Sequence, residues 1–187
     1  MSVTELGLLR EIAADELELM RTWRNAPAVR ANMYTRHEIS REEHLAWWAR
    51  ISGRDDQQYF MYEFAGVPSG IVAFTGIDQA SRNSSWAFYA APDAAKGTGS
   101  KMEYLALEQA FEGLRLHKLC CEVLAFNSAV IKLHQKFGFQ IEGVLRDQHL
   151  VDGNFVDVYR LGILSHEWAD QRPSMAEKIK SFTKVKS

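Results

Sequence analysis

Two segments about thirty residues apart carry the residue types from which chemistry could be built. The first, Lys96–Ser100, is a glycine-containing turn between the apolar run Trp86–Ala91 and a long helical pattern. Such a turn at the start of a helix directs backbone N–H groups at a phosphate, and the missing side chains allow a close approach. The second, Asn127–Phe139, has the pattern of a short helix ended by Gly138, with a polar stripe. Together the two segments predict a pyrophosphate-containing cofactor held beside a titratable side chain.

The polar stripe of the second segment supplies the candidate side chains. Asn127, Val130, Ile131 and His134 are three or four residues apart, so on a helix they share one face. The Asn127 amide can both donate and accept hydrogen bonds, which suits the amide groups of a cofactor arm. An imidazole ordinarily titrates near pH ~6.5, so a histidine on this face suits proton transfer. The alternative for His134 is simple packing against the sheet.

Length, composition and charge limit the possible classes of protein. The 187 residues suit one domain, assigned to residues 1–170, followed by a C-terminal basic tail at residues 171–187. The apolar content of 47% and the charged content of 25% are ordinary for a globular protein. The formal charge of −2 provides no general attraction to nucleic acid or to a membrane surface.

Cysteine and histidine usage bears on the compartment and on metals. Cys120 and Cys121 are adjacent in the sequence, which disfavours a disulfide between them. With no apolar run long enough to span a bilayer, the chain is expected in the cytoplasm. The six histidines show no metal-ligand spacing, so no metal site is expected.

The rest of the chain contains the elements that must position the two segments. Strand patterns fall at Leu6–Ile12, Gln58–Ala65, Val67–Ile77, Ser85–Ala91, Lys118–Phe126, Gln140–Val151 and Asn154–Leu164. Helix patterns fall at Asp15–Arg24, at a stretch that starts with the capping box Ser40–Glu43 and runs to Ile51, at Thr98–Leu114 and at Ser128–Phe137. This order predicts an α/β (α+β) domain with a mostly antiparallel mixed sheet, flanked by helices, and one β-α-β crossover.

At this level of detail the chain resembles the GNAT acetyltransferase superfamily. The glycine loop and the Asn-x-x-[Ala/Val]-Ile-x-Leu-[Tyr]-x-Lys-x-Gly-Phe helix of that superfamily are matched by Gly97, Gly99, Ser100, Asn127, Ile131, Leu133, Lys136, Gly138 and Phe139. The element order extends the resemblance over nearly the whole chain. Two positions depart from the pattern. Ala94 stands where the loop usually starts with Gln or Arg, and His134 stands where the helix usually carries tyrosine.

The resemblance implies the GNAT acyl-CoA N-acyltransferase fold and acetyl-CoA as the cofactor. It assigns the cofactor pyrophosphate to Lys96, Gly97, Thr98, Gly99 and Ser100. It also implies a bulged strand near Tyr89, Ala90 and Ala91, one backbone N–H of which would stabilise the oxyanion formed on the thioester carbonyl. Asn127 and Lys136 would contact the cofactor arm and a phosphate. His134 would take the place of the tyrosine that protonates the leaving thiolate.

A narrower resemblance lies in the N-terminal half, at Trp23–Asn25, Val29–Arg30, Met33–Tyr34, Ile39–Ser40, Glu43–Leu45 and Tyr59–Phe60. It is to the GNAT enzymes that acetylate the 4-amino group of a UDP-linked 4-amino-4,6-dideoxy sugar in pseudaminic acid biosynthesis, a pathway of flagellin glycosylation. The resemblance thus implies a nucleotide amino sugar as the small-molecule substrate.

Candidate residues for that acceptor follow from residue type. Glu122 interrupts an apolar strand and is the candidate base, with an edge-facing or ion-paired carboxylate as the alternative. Arg24, Arg30 and His44 are candidates for the diphosphate, with ordinary surface charge as the alternative. Trp47 and Trp48 cannot both face one core, so one of them could stack on the sugar or uracil. Trp48 is the candidate, and the choice between the two stays open. Under the resemblance, Met33, Tyr34 and Tyr89 would pack against the deoxy C6 methyl group.

Two other functions remain open at this stage. One keeps the chemistry and changes the acceptor to a protein N-terminus or a polyamine, for which a cluster of acidic residues would be expected. The other is a non-catalytic regulator that binds acyl-CoA, in line with the missing tyrosine at position 134. The resemblance also implies a homodimer formed through the C-terminal hairpin.

Overall fold

The computed structural model describes residues 6–184, and their side chains as far as residue 180. Residues 6–184 contain one seven-stranded sheet in the order β1-β2-β3-β4-β5-β7-β6. The strands are β1 (Leu8–Arg10), β2 (Gln57–Phe64), β3 (Val67–Asp78), β4 (Asn83–Ala90), β5 (Lys118–Leu124), β6 (Gln140–Val151) and β7 (Asn154–Leu164). Only β4 and β5 are parallel, and the other neighbours are antiparallel. The predicted mostly antiparallel mixed sheet with one crossover is confirmed.

The helices cover both faces of the sheet. In the described residues they are α1 (Leu17–Asn25), α2 (Pro27–Arg30), α3 (Arg41–Ile51), α4 (Thr98–Glu108), α5 (Ser128–Lys136) and α6 (Ser165–Lys184). α4 continues as a π-helical segment, Gln109–Gly113, within the stretch predicted as one helix. α3 begins where the capping pattern predicts, because the Ser40 hydroxyl accepts a hydrogen bond of 3.1 Å from the Glu43 N–H.

Side-chain alternation along β4 divides the core into two parts. Trp86 and Phe88 lie on the face covered by α4 and α5, whereas Tyr89 lies on the face of α1 with Met20 and Trp23. α4 packs closely on the first face, since a Cβ at Gly70 of β3 would lie only 2.6 Å from the Met102 methyl carbon. β4 therefore forms the wall between two sets of helices.

α6 corrects the predicted division between domain and tail. The helix runs through the boundary expected at residue 170, and Met175 and Ile179 are 1% and 2% exposed in the main core. The lysine-rich composition misled the prediction, because apolar residues four apart are enough to bury one face of a helix. Residues 171–180 thus belong to the packed domain, and residues 185–187 lie outside the described part. In residues 6–184 no helix is both long enough and apolar enough to cross a membrane.

Candidate active site

A cleft opens where the two parallel strands separate. β4 and β5 pair only at Asn83–Ser85 and Lys118–Cys120. Beyond these residues the strands diverge, and a cavity of about 310 Å³ lies between them. Because β4 is paired with β3 and β5 with β7 on their other sides, only the edges that face this cavity lack a ladder partner. The cleft is therefore lined by unpaired backbone groups.

Backbone alternation identifies which N–H of β4 faces the cleft. The Ala91 N–H donates to the Ser69 carbonyl oxygen over 2.9 Å, so it points toward β3. Successive residues of a strand direct their backbone groups to opposite sides, so the Ala90 N–H points into the cleft. The expected bulge is not found at this place, because pairing with β3 is regular from Ser85 to Ala90 and the register shift lies between Thr75 and Asp78. Here the splaying of β5 frees the N–H without a bulge.

The glycine loop has the geometry of an exposed helix N-terminus. Gly97 is the N-cap of α4 with φ 93°, a conformation that L side chains rarely adopt. The Thr98 N–H bonds to the Ala95 carbonyl, and the first bond of the helix runs from the Lys101 N–H to the Gly97 carbonyl. The intervening N–H groups of Gly99 and Ser100 precede the helical ladder and point off its end. Lys96 is exposed beside them.

α5 brings Asn127, Val130 and His134 to the wall of the same cleft. His134 is only 2% exposed, and its Nδ1 lies 2.8 Å from Oε1 of Glu103 on α4. The rings of Trp86 and Phe88 surround the imidazole at 5.4 and 6.1 Å between centroids. With Nδ1 engaged, Nε2 is the nitrogen left for a group in the cleft. His134 thus both packs in the core, as the alternative held, and reaches the cavity.

Glu103 is the residue that sequence reasoning missed. It is fully buried, and its second oxygen, Oε2, has no hydrogen-bond partner among the described residues. Burial raises the pKa of the Glu103 carboxyl, and the bond to His134 opposes this in part. A signal was present in the sequence, because Glu103 is the one charged residue in the largely apolar stretch from Met102 to Leu107.

Glu122 lies at the cleft's more open side. It accepts hydrogen bonds from the Tyr34 hydroxyl over 3.0 Å and from Nη1 of Arg160 over 3.2 Å. Burial raises the pKa of Tyr34, and the bond to Glu122 adds to this, so the phenol stays protonated. Tyr34 and Glu122 both line the cavity that contains His134. Glu122 therefore both forms an ion pair with Arg160, as the alternative held, and lines the cleft, as the candidate base would.

A second cavity, of about 330 Å³, lies on the opposite face of β4. Both cavities share four lining residues, Met33, Ala87, Phe88 and Tyr89. The second is also lined by Met20, Arg24, Thr35, Ile39, Glu43, His44, Trp47, Arg50, Tyr59, Ile71, Ala73 and Thr75. The shared wall would let an acceptor in the second cavity meet a group bound in the cleft.

Two polar groups at this second cavity lack partners. Nη1 of Arg24 and the Tyr89 hydroxyl are buried without a hydrogen bond to any described residue. Nη2 of Arg24 donates to the Thr35 carbonyl oxygen over 3.2 Å, which holds the guanidinium in place. Burial lowers the pKa of Arg24 and raises the pKa of the Tyr89 phenol. Unpaired buried donors are costly, so both positions favour a bound polar ligand.

Several residues assigned from the sequence lie elsewhere or in another state. Of the two tryptophans, Trp47 lines the second cavity and Trp48 does not, so the geometry favours Trp47 for the stacking role. Both rings meet Tyr59 edge to face, at 5.2 Å for Trp47 and 6.2 Å for Trp48, but consecutive residues of a helix point in different directions. Arg30 lines neither cavity, and nor does Lys136 at the end of α5. Burial lowers the pKa of His44, which favours the neutral form and opposes its predicted role as a cation.

Comparison with known families identifies the fold and the chemistry. A family model described as the acetyltransferase (GNAT) domain matches residues 8–140, from β1 to the start of β6. The chain belongs to the GNAT acetyltransferase family. GNAT enzymes take their acetyl group from acetyl-CoA, so this GNAT protein is an N-acetyltransferase with acetyl-CoA as its donor. The predicted family, fold, enzyme class and cofactor are confirmed, and the non-catalytic alternative is not favoured.

Two kinds of acetyltransferase, PseH and spermidine acetyltransferases, are similar to this chain. The GNAT chain is 29% identical to acetyltransferase PseH of Campylobacter jejuni over 131 residues, which cover 70% of this chain and 81% of the relative. It is 26% identical to spermidine N(1)-acetyltransferase of Escherichia coli K12 over 124 residues, which cover 66% and 67%. A crystal structure of spermidine N-acetyltransferase from Vibrio cholerae, in complex with CoA and spermine, superposes with TM-score 0.81 at 24% identity. That likeness covers 86% of this chain and 96% of the other.

Within residues 6–184, no group of three or more His, Cys, Asp or Glu side chains is arranged to hold a metal ion.

Proposed function

We propose that this GNAT acetyltransferase acetylates the 4-amino group of a UDP-linked 4-amino-4,6-dideoxy sugar, as in the pseudaminic acid pathway of flagellin glycosylation. The observation that carries the proposal is the charge of the second cavity. Its lining contains Arg24 with an unpaired Nη1 and Arg50, against one carboxylate, Glu43. Arginine presents a planar set of donors that suits diphosphate oxygens.

The same cavity argues against a polyamine acceptor. A polyamine carries several positive charges, which need carboxylates nearby to repay their loss of water. Here Arg24 would face such a ligand with a positive charge, and no carboxylate of the described part of the chain contacts it. PseH and the spermidine acetyltransferases are similarly related to this chain, so sequence identity does not favour either acceptor. The charge of the cavity supports the anionic one.

The walls of the second cavity suit a nucleotide sugar in shape. Trp47 and Tyr59 meet edge to face at 5.2 Å and offer ring surface for a sugar or a uracil. Met33, Ile39 and Ile71 add apolar surface of the kind that a deoxy methyl group would contact. Tyr34 and Tyr89 complete the proposed acceptor site from the cleft side. Trp47 replaces Trp48 in the proposal, and Arg30 is left outside it.

Three groups at the cleft and at the start of α4 support acetyl-CoA binding. The free N–H groups of Gly99 and Ser100, with Lys96 beside them, form an anion site for the pyrophosphate at the start of α4. A Cβ at Gly99 would lie 3.5 Å from Leu133 and 3.6 Å from Phe88, so this N-terminus packs directly against the cleft wall. Asn127 lines the same cleft as His134, where its side-chain amide can bond the amides of the cofactor arm.

The proposed mechanism uses three groups of this chain. Bound acetyl-CoA supplies a thioester whose carbonyl carbon accepts the amine. The Ala90 N–H, the member of Tyr89–Ala91 that faces the cleft, stabilises negative charge on the carbonyl oxygen. Glu122 takes up or relays the proton released by the amine, and Nε2 of His134 protonates the leaving sulfur.

A thiol-release assay tests the substrate proposal. The purified enzyme with acetyl-CoA is given UDP-linked 4-amino-4,6-dideoxy sugars, UDP-linked 2-amino sugars, spermidine and a peptide with a free N-terminus. We expect kcat/KM for a 4-amino-4,6-dideoxy sugar to exceed that for spermidine by at least about a hundredfold, the effect of roughly 3 kcal/mol in binding and chemistry. A higher kcat/KM for spermidine or for the peptide would overturn the proposal.

The hairpin of β6 and β7 supports a homodimer. β6 is an edge strand with little burial, and its exposed apolar residues, with one from β7, are Ile141, Val144, Leu145, Leu150 and Phe155. An exposed apolar edge strand of this length favours pairing with another chain. We expect sedimentation velocity to show a dimer, and Leu150→Lys with Phe155→Lys to shift it to monomer. A monomeric wild type at about 10 µM would contradict this.

A further inference from the structure

The pair formed by Glu103 and His134 is the most deeply buried set of titratable groups at the cleft. Glu103 is 0% exposed and His134 is 2% exposed, and Nδ1 and Oε1 are 2.8 Å apart. The elements around the imidazole contribute Trp86 and Phe88 from β4 and the ring of Phe139. Among the described residues, the other titratable group that interacts with Glu103 is Cys121 of β5, and burial raises its thiol pKa well above the ordinary value, so it stays neutral.

Burial selects the net charge of this pair. A carboxylate beside a neutral imidazole would place an uncompensated negative charge in an apolar site, which is strongly unfavourable. The pair becomes neutral when it holds one more proton. Burial raises the pKa of the Glu103 carboxyl, which favours the form of the pair that holds this additional proton.

The neutral pair has two forms, and both place a hydrogen on Nε2. In one, protonated Glu103 donates to a bare Nδ1, and the imidazole hydrogen is on Nε2. In the other, the Glu103 carboxylate accepts from an imidazolium that carries hydrogens on both nitrogens. Only the charged pair, a carboxylate bonded to a neutral Nδ1–H imidazole, leaves Nε2 bare.

We propose that Glu103 is a positioning residue that shares a proton with Nδ1 of His134 and so keeps a hydrogen on Nε2, directed into the cleft. This inference rests on the proposed role of His134 as the acid. The tyrosine pattern of the family gives no reason for a carboxylate at position 103. The histidine that stands at position 134 in place of tyrosine does give a reason for this carboxylate, because a neutral imidazole alone is a very weak acid.

The proton balance shows what Glu103 adds. The N–H bond at Nε2 breaks as an S–H bond forms, using the electron pair that the sulfur retains from the broken C–S bond. The shared proton then settles on Nδ1, and the negative charge left behind rests on the Glu103 carboxylate instead of on the imidazole ring. The acetyl carbon is by then bound to the acceptor nitrogen, whose surplus proton leaves by way of Glu122. One proton from solvent restores the pair.

Nuclear magnetic resonance of ¹⁵N-histidine-labelled protein without acetyl-CoA tests the inference apart from any activity. We expect Nε2 of His134 to carry a hydrogen at neutral pH. His134→Asn identifies the signal. A bare Nε2 with a hydrogen on Nδ1 at neutral pH would overturn the inference, whatever substrate the enzyme uses.

Kinetics of Glu103→Gln provide the second test. Glutamine cannot supply a proton, so the variant needs an imidazolium as its acid, and the imidazolium form is lost as the pH rises. We expect the ratio of wild-type to variant kcat to rise as the pH is raised, by up to about tenfold for each pH unit. Taking the ratio cancels the pH dependence that comes from ionisation of the amine, because both enzymes use the same acceptor.

Glu112→Gln is the matched control, because it removes a half-exposed carboxylate in the segment after α4 without touching the cleft. Its kcat should follow the wild type at every pH. A pH-independent loss in Glu103→Gln would show a purely structural role and overturn the inference. If the wild-type enzyme acetylated none of the acceptors although Nε2 of His134 carried a hydrogen, that result would instead contradict the proposed function.

Discussion

Replacing His134 with phenylalanine is expected to lower kcat by about 10²–10⁴-fold, the range for loss of a general acid. The substitution removes the only titratable group that α5 directs at the cleft within the described residues. Without a proton donor, the thiolate would have to leave as an anion in a site closed by Trp86 and Phe88. Kinetics at saturating acetyl-CoA measure the loss.

Acetyl-CoA binding should change little in the same variant. The proposed anion site at Gly99 and Ser100 and the amide of Asn127 are untouched by it. We expect the calorimetric Kd to stay within about threefold of the wild-type value, less than 1 kcal/mol. The free energy of unfolding must be measured alongside, because phenylalanine leaves Glu103 buried without its partner.

His134→Tyr is the matched control for this experiment. Tyrosine and phenylalanine differ by one hydroxyl and fill nearly the same volume, and tyrosine is the residue that the family pattern carries at this position. We expect His134→Tyr to retain at least about tenfold more activity than His134→Phe. Wild-type kcat in the phenylalanine variant would remove His134 from the mechanism.

Replacing Arg24 with methionine is expected to raise KM for the nucleotide amino sugar by about 10–100-fold. This corresponds to roughly 1.5–3 kcal/mol, the usual value of a hydrogen bond to a charged group. Methionine preserves most of the side-chain length beside Met20 and Met33 and removes only the guanidinium. KM for acetyl-CoA should not change, since Arg24 does not line the cleft.

Arg30→Met is the matched control for Arg24. Both residues were assigned to the diphosphate by residue type, but only Arg24 lines the second cavity. We expect Arg30→Met to change the same KM by less than about threefold, as for a surface charge. Spermidine is a further probe, because loss of Arg24 removes the repulsion and should increase its use. An unchanged KM for the sugar in Arg24→Met would contradict the anionic acceptor.

The sequence by itself predicted what depends on neighbours along the chain. The capping serine of α3, the glycine with positive φ at the start of α4 and the stripe of Asn127 and His134 all follow from local geometry. Strand and helix periodicities are equally local, so the order of elements and the mixed sheet could be predicted. The lysines after residue 170 were a weaker guide, because two apolar residues on one face of α6 outweighed them.

The tertiary structure alone decided which distant residues meet. Glu103 and His134 are 31 positions apart, and Tyr34 and Glu122 are 88 apart. They are brought together because β4 and β5 are parallel neighbours that diverge, which places α4 and α5 against one face of the opening and the N-terminal helices against the other. The choice of Trp47 over Trp48 likewise depends on how α3 packs on β2. Hydrophobic pattern and turn chemistry specify each element, but the strand order and the crossover fix which side chains share a cavity.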